Sequence, residues 1–119
     1  MPTTVTPMIH VPDVAATAAW YERLGFTIVE TASDGPETTW VLLTLGGNAV
    51  MLNCGGRPSG HDRREVDLYA GVDDVGAWRD RLPDGIDMVE DVHDTFYGMR
   101  EFIIRDLNGF WITVGERAA

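Results

Sequence analysis

The chain nearly repeats itself. Gly25-Phe26-Thr27-Ile28-Val29-Glu30 returns sixty positions later as Gly85-Ile86-Asp87-Met88-Val89-Glu90. Each copy follows a short amphipathic segment opened by an aspartate, Asp13-Val14 in the first and Asp74-Val75 in the second. A further echo pairs Leu45-Gly46-Gly47-Asn48-Ala49-Val50 with Leu107-Asn108-Gly109-Phe110-Trp111-Ile112. Half-domains of about sixty residues bury too little surface to be stable alone. The repeat therefore predicts two modules that share a core, with sites in the cleft between them or between chains.

With 119 residues, 45% of them hydrophobic, the chain is expected to form a single domain. No apolar run approaches the roughly 20 residues that cross a bilayer. The opening Met1-Pro2-Thr3-Thr4 lacks the basic and apolar blocks of a secretory signal, so a cytoplasmic location is expected. One cysteine, Cys54, excludes an internal disulfide framework and a multi-cysteine zinc site. A formal net charge of −10 disfavours nucleic acid and anionic membranes and would favour a cationic ligand.

Local signals predict the same element order twice. Thr4 to Val11 is a strand interrupted by Pro7, Asp13 caps a helix over 14–24 that stops at Gly25, and Phe26 to Thr31 is a strand. Trp40 to Leu45 and Ala49 to Asn53 form a hairpin around Gly46-Gly47-Asn48. Residues 54–64, with Arg57, Arg63 and Arg64, read as a linker between half-modules of about 4–53 and 65–116. Beyond it follow a strand over 65–72, a helix over 74–82, a strand over 87–92, and a hairpin of 100–105 with 110–115. The order is βαβββ twice, an α+β fold.

Two stretches carry a family resemblance. The run from Pro7 through Ile9-His10-Val11-Pro12-Asp13 and Trp20-Tyr21-Glu22-Arg23-Leu24-Gly25-Phe26 resembles the opening of the vicinal oxygen chelate superfamily. That superfamily holds glyoxalases, extradiol dioxygenases, fosfomycin-resistance enzymes and bleomycin-resistance proteins. The run from Tyr97-Gly98-Met99-Arg100-Glu101-Phe102 to Arg105-Asp106-Leu107-Asn108-Gly109-Phe110 is similar to the closing signature of the bleomycin-resistance branch. The resemblance implies two tandem βαβββ modules forming curled mixed sheets around a cavity. Pro7 falls where the resistance proteins carry a proline in their first strand, which implies a strand that crosses to a partner in a homodimer.

Metal-using members hold a divalent ion through four positions, commonly two histidines and two glutamates. Carried onto this chain, those positions are Thr6, Met51, Asp67 and Thr113. Two hydroxyls, a thioether and one carboxylate suit neither zinc nor iron nor nickel, so no metal and no cofactor are expected.

Strand alternation places Thr6, Met8 and His10 on one face, and Asp67, Tyr69 and Gly71 on the matching face of the second half. In the family's geometry both faces line the cavity, with Met51, Asn53, Trp111 and Thr113 completing the walls. His10 reads either as a ligand contact or as a ring satisfied by a backbone carbonyl. Asp67 reads as an anion for a ligand cation or for proton transfer, or as the partner of Arg100 or another arginine. Trp40 and Trp111 suit a planar ligand. Trp20, Tyr21 and Trp78 read as core, and His61 and His93 as loop residues. The expected ligand set is His10, Trp40, Met51, Asn53, Asp67, Tyr69, Arg100, Trp111 and Thr113, with no catalytic residue.

The function expected is a small-molecule binding and sequestering protein, with an antibiotic of the bleomycin kind among the candidate ligands. The alternative is a lyase, isomerase or dioxygenase of the same superfamily. A cationic or aromatic ligand is expected in either case.

Overall fold

A computed structural model describes residues 3–58, 60 and 63–118. Its contacts cluster into two compact units, Met1–Pro58 and Ser59–Ala119. Each is a βαβββ module with a mixed four-stranded sheet, and each is described by itself.

In the first module, β1 (Met8–His10) leads into α1 (Val14–Leu24), then β2 (Thr27–Asp34), β3 (Glu37–Leu45) and β4 (Asn48–Asn53). The sheet order is β1-β4-β3-β2, with β1 parallel to β4 and the rest antiparallel. Strand β1 begins after Pro7 rather than at Thr4. Proline has no amide proton to give the ladder, and only its carbonyl takes part, accepting from the Met51 N–H at 2.8 Å. Asp13 caps α1 by accepting from the Ala16 N–H at 2.9 Å. Gly25 closes the helix at φ 129°, where its N–H reaches the carbonyls of Tyr21 and Glu22. One stripe of α1 (Val14, Thr17, Ala18, Tyr21, Leu24) is buried. It covers the sheet face that carries Ile9, Val41, Leu43, Val50 and Leu52. Tyr21 meets Trp20 and Phe26 edge-on at ring distances of 5.1 and 5.2 Å.

The second module repeats this with β5 (Leu68–Gly71), α2 (Val75–Asp80), β6 (Asp87–Asp94), β7 (Met99–Arg105) and β8 (Trp111–Arg117). Its sheet order is β5-β8-β7-β6. Helix α2 is shorter than the 74–82 expected. Gly76 weakens its first turn, and Pro83 disfavours helical geometry at Leu82. Asp74 caps it through the Ala77 N–H at 3.0 Å, and Glu116 Oε1 accepts the Val75 N–H at 3.2 Å. Val75, Phe102, Ile104, Ile112 and Val114 are buried, and α2 packs on the three strands β6, β7 and β8. Trp78 is half-buried, under the Arg81 guanidinium at 4.8 Å.

The sequence echo has a structural counterpart. The β2–β3 ladder slips between Ile28 and Glu30, and the β6–β7 ladder slips between Met88 and Glu90. The repeated hexapeptide therefore places an irregularity at the same point of each module, bending the strand that leaves the helix.

Candidate functional site

In both modules the helix covers one face of the sheet, and alternation assigns the remaining residues to the opposite, open face. On the first sheet this face carries two cross-strand rows. Met8, Met51 and Leu42 form one; His10, Asn53 and Trp40 form the other. The register thus brings together His10, Trp40, Met51 and Asn53, and Met8 is 48% exposed beside them. His10 Nδ1 lies 3.0 Å from the Cys54 carbonyl. A carbonyl only accepts, so Nδ1 is the donor and Nε2 is left as the acceptor of the neutral ring. Asn53 Oδ1 accepts the Cys54 N–H at 2.9 Å, and its amide nitrogen faces Met8 Sδ at 3.6 Å. The chain after Cys54 presses closely on β1: a Cβ on Gly56 would come within 2.2 Å of the His10 carbonyl oxygen.

On the second sheet the open-face rows are Tyr69, Thr113, Ile103 and Glu90, then Gly71, Gly115, Glu101 and His93. Two glycines in one row leave a trough, and Tyr69 fills it. A Cβ on Gly115 would lie 2.1 Å from Tyr69 Oη and 3.2 Å from Glu101 Cγ. Across Gly115, Tyr69 donates to Glu101 Oε2 at 2.7 Å, while Tyr97 donates to Oε1 at 2.6 Å. These are short, charge-assisted bonds. Glu101 itself is 2% exposed, whereas the Tyr69 and Tyr97 side chains are open to solvent. Burial of its hydroxyl end and the Glu101 bond push the Tyr69 phenol up to about 12. The ring is open to solvent, and its part-buried oxygen lies over Gly115 against Glu101. Tyr97 is raised in the same direction, first by its bond to Glu101.

The second module also bears on the remaining expected residues. Asp67 precedes β5 and takes the arginine-partner alternative: Arg63, four residues back in the chain, engages it. The same Arg63 guanidinium stacks 3.7 Å over the Trp111 ring, so a planar ligand would have to displace it. Arg100 alternates with Glu101 and shares the face of Phe102 and Ile104; it pairs with Asp94 at 2.8 Å, away from Trp111 and Thr113. His93 stands on β6 rather than in a loop, with Nδ1 2.9 Å from the Asp91 carbonyl and 3.7 Å from Glu90 Oε1. His61 lies outside the described residues.

Glu101 is the functional candidate that sequence reasoning missed. Its signal was present: with Phe102 and Ile104 in the core, alternation turns Glu101 to the open face, and Gly115 is an unexplained glycine inside a strand. The turn after β7 is structural. Asp106, buried, accepts the N–H groups of Asn108 and Phe110 at 2.8 and 2.9 Å. Arg64, also buried, donates to the Asn108 carbonyl at 2.9 Å.

The donors at the positions that the resemblance assigns to a metal do not fit a divalent ion. Met51 offers a thioether, Thr6 and Thr113 offer hydroxyls, and the carboxylate of Asp67 is held by Arg63. Among the described residues no cluster of three or more His, Cys, Asp or Glu side chains is placed to hold a metal.

A family model described as glyoxalase/bleomycin resistance protein/dioxygenase superfamily matches residues 4–114. The chain belongs to this superfamily. Solved structures agree on the fold. TioX from Micromonospora sp. ML1 is similar at 22% identity and a TM-score of 0.82, over 98% of this chain and 99% of that one. A protein of unknown function from Agrobacterium tumefaciens str. C58 shares 24% identity, with a TM-score of 0.74 over 98% and 94%. A glyoxalase/bleomycin resistance protein/dioxygenase family enzyme from Burkholderia phytofirmans PsJN shares 17%, with a TM-score of 0.73 over 92% and 94%. A search of curated protein sequences returns no match. Superfamily membership covers both modules, and among the described residues no helix is long and apolar enough to cross a membrane.

Proposed function

We propose that this superfamily member is a small-molecule binding protein of the bleomycin-resistance type, which sequesters its ligand without transforming it. The observation that carries the reading is the donor set at the four metal positions: a thioether, two hydroxyls and an arginine-paired carboxylate. Such a set gives the fold no Lewis acid with which to polarise a substrate. The open sheet faces meanwhile carry Met8, Met51, Trp40 and Tyr69 beside a few polar groups, a composition suited to holding a partly aromatic ligand. The protein acts as a cytoplasmic homodimer in this reading, with Pro7 at the start of the strand that crosses to the partner.

The test is a titration with a bleomycin-class glycopeptide followed by tryptophan fluorescence, after dialysis of metal-stripped protein against zinc, iron(II), nickel and manganese. The reading expects negligible bound metal, saturable binding, and ligand recovered chemically unchanged by mass spectrometry. A stoichiometric metal or a modified ligand would contradict it. Elution as a strict monomer at micromolar concentration would remove the dimer.

One observation favours a second reading, a metal-free lyase or isomerase. Glu101 is a buried carboxylate in hydrogen-bond contact with two phenols, a geometry able to accept a proton. That version expects Glu101→Gln to abolish turnover of a substrate while leaving its binding nearly intact.

A further inference from the structure

A carboxylate that is 2% exposed is ordinarily paired with a cation inside the protein. Glu101 is not. Four arginines of this module serve other acids instead: Arg63 holds Asp67, Arg79 holds Asp91, Arg100 holds Asp94 and Arg105 holds Asp87. Among the described residues no basic side chain forms an ion pair with Glu101. Its cross-strand neighbour His93 is turned to the Asp91 carbonyl and lies nearer Glu90. Among the described residues, the only donors to its carboxylate are the phenols of Tyr69 and Tyr97, one on each oxygen.

This arrangement has a directional consequence. A phenol has one proton. Both are spent inward on Glu101, so toward solvent each phenol oxygen can only accept. The solvent side of the cluster is thus two hydrogen-bond acceptors backed by a buried carboxylate, with the Thr95 hydroxyl also meeting the Tyr97 oxygen. Around them stand exposed aromatic rings: Tyr69, Tyr97, and Phe96, which meets Tyr97 edge-on at 5.0 Å and is fully exposed. Ring faces attract cations and add no donor. The cluster selects against anions and against ligands that offer only acceptors. A divalent metal is a poor fit, because the cluster offers one carboxylate and two neutral phenols.

We propose that the phenol oxygens of Tyr69 and Tyr97, oriented as outward acceptors by buried Glu101, form a subsite for the positively charged nitrogen of an organic amine. This rests on the reading of the protein as a small-molecule binder and names the ligand chemistry of its second module. Gly115 is part of the device, since any larger residue there would push Tyr69 off Glu101.

The probes are benzylammonium and its neutral counterpart benzyl alcohol, titrated into the full chain and followed by amide chemical shifts. The amine should shift Tyr69, Glu101 and Gly115 saturably and bind at least ten-fold more weakly to Glu101→Gln. Benzyl alcohol should bind both proteins alike and more weakly. If Glu101→Gln does not fold, the Tyr69→Phe/Tyr97→Phe pair, which keeps the carboxylate, should show the same ten-fold loss. Amine binding that is unchanged in a folded variant, or shifts confined to other residues, would overturn the subsite. Glycopeptide or benzyl alcohol binding without amine selectivity would overturn the subsite while leaving the binding function intact. Failure of all three compounds to bind would overturn both.

Discussion

The two modules share a backbone plan and differ in what they place on it. In the first, the row beside the end of β1 is His10, Asn53 and Trp40; in the second, the equivalent row is Gly71, Gly115 and Glu101. The first row is filled by its own side chains. In the second, two glycines are empty, and the space is taken by a tyrosine from the neighbouring row reaching a carboxylate. The aspartate N-caps, the bulge and the sheet order are common to both, so they serve the scaffold. Beyond the shorter second helix, the modules diverge on the open faces, which is where a ligand would be read.

The sharpest way to break this comparison is to add a methyl group to each module. Gly56→Ala would drive a Cβ into main-chain atoms of His10 and Val11 at 2.2–2.4 Å, and backbone cannot swing aside. A loss of about 3 kcal/mol or more is expected in urea unfolding. Gly115→Ala meets chiefly the far end of the Tyr69 side chain. It should cost less, about 1–2 kcal/mol, because the ring can leave Glu101 and rest in solvent. Equal losses at the two glycines would show that the Tyr69–Glu101 contact is not the soft one.

Glu101→Leu tests the same contact from the acid side. It removes both acceptors from two phenols whose rings already reach water, so a loss of about 1–2 kcal/mol is expected. Glu101→Gln retains one acceptor oxygen and should lose less. Trp40→Ala, on the open face of the first module, should leave amine binding at Tyr69 and Tyr97 unchanged.

The smallest expected effect is on the exposed edge. Arg79 holds the Asp91 carboxyl down at about 2, through two bonds of 2.8 and 3.1 Å. Because the folded value is depressed, this contribution is present above the ordinary carboxylate range and is lost as pH falls toward 2. Arg79→Ala should move the Asp91 carboxyl resonance midpoint up toward the ordinary range. Both side chains reach solvent, so stability at neutral pH should barely change.

How far the sequence could be read follows from which signals are local. Asp13 and Asp74 cap helices through bonds made within three residues, and Gly46-Gly47 closes a two-residue hairpin with Gly46 at φ 59°. Such features are written in adjacent residues, and the βαβββ order followed from them. Strand parity put Met8 and His10 on one face, and the family resemblance put Met51 and Asn53 beside them, where the register pairs them. Element ends were less legible: β1 starts at Met8 and α2 stops at Asp80, because Pro7 and Pro83 act on their neighbours. The site residues were less legible. Asp67 was left as either a ligand's anion or an arginine's partner, because nothing in a loop predicts that Arg63 folds back onto it. Glu101 was overlooked because its burial depends on Gly115 of the next strand and Tyr69 of the one beyond.

The central claim is that a buried carboxylate in the second module holds two phenols as acceptors. It is tested most directly by following each tyrosine ring carbon through a pH titration by NMR, in the wild type and in Glu101→Gln. A raised phenol stabilises the fold fully below its ordinary value near 10, and that contribution disappears as pH rises through the folded value. The account predicts that Tyr69 ionises only near 12 in the wild type, that stability declines between these limits, and that Glu101→Gln lowers the Tyr69 midpoint. A wild-type Tyr69 that ionises near 10, or one indifferent to the loss of the Glu101 charge, would contradict it.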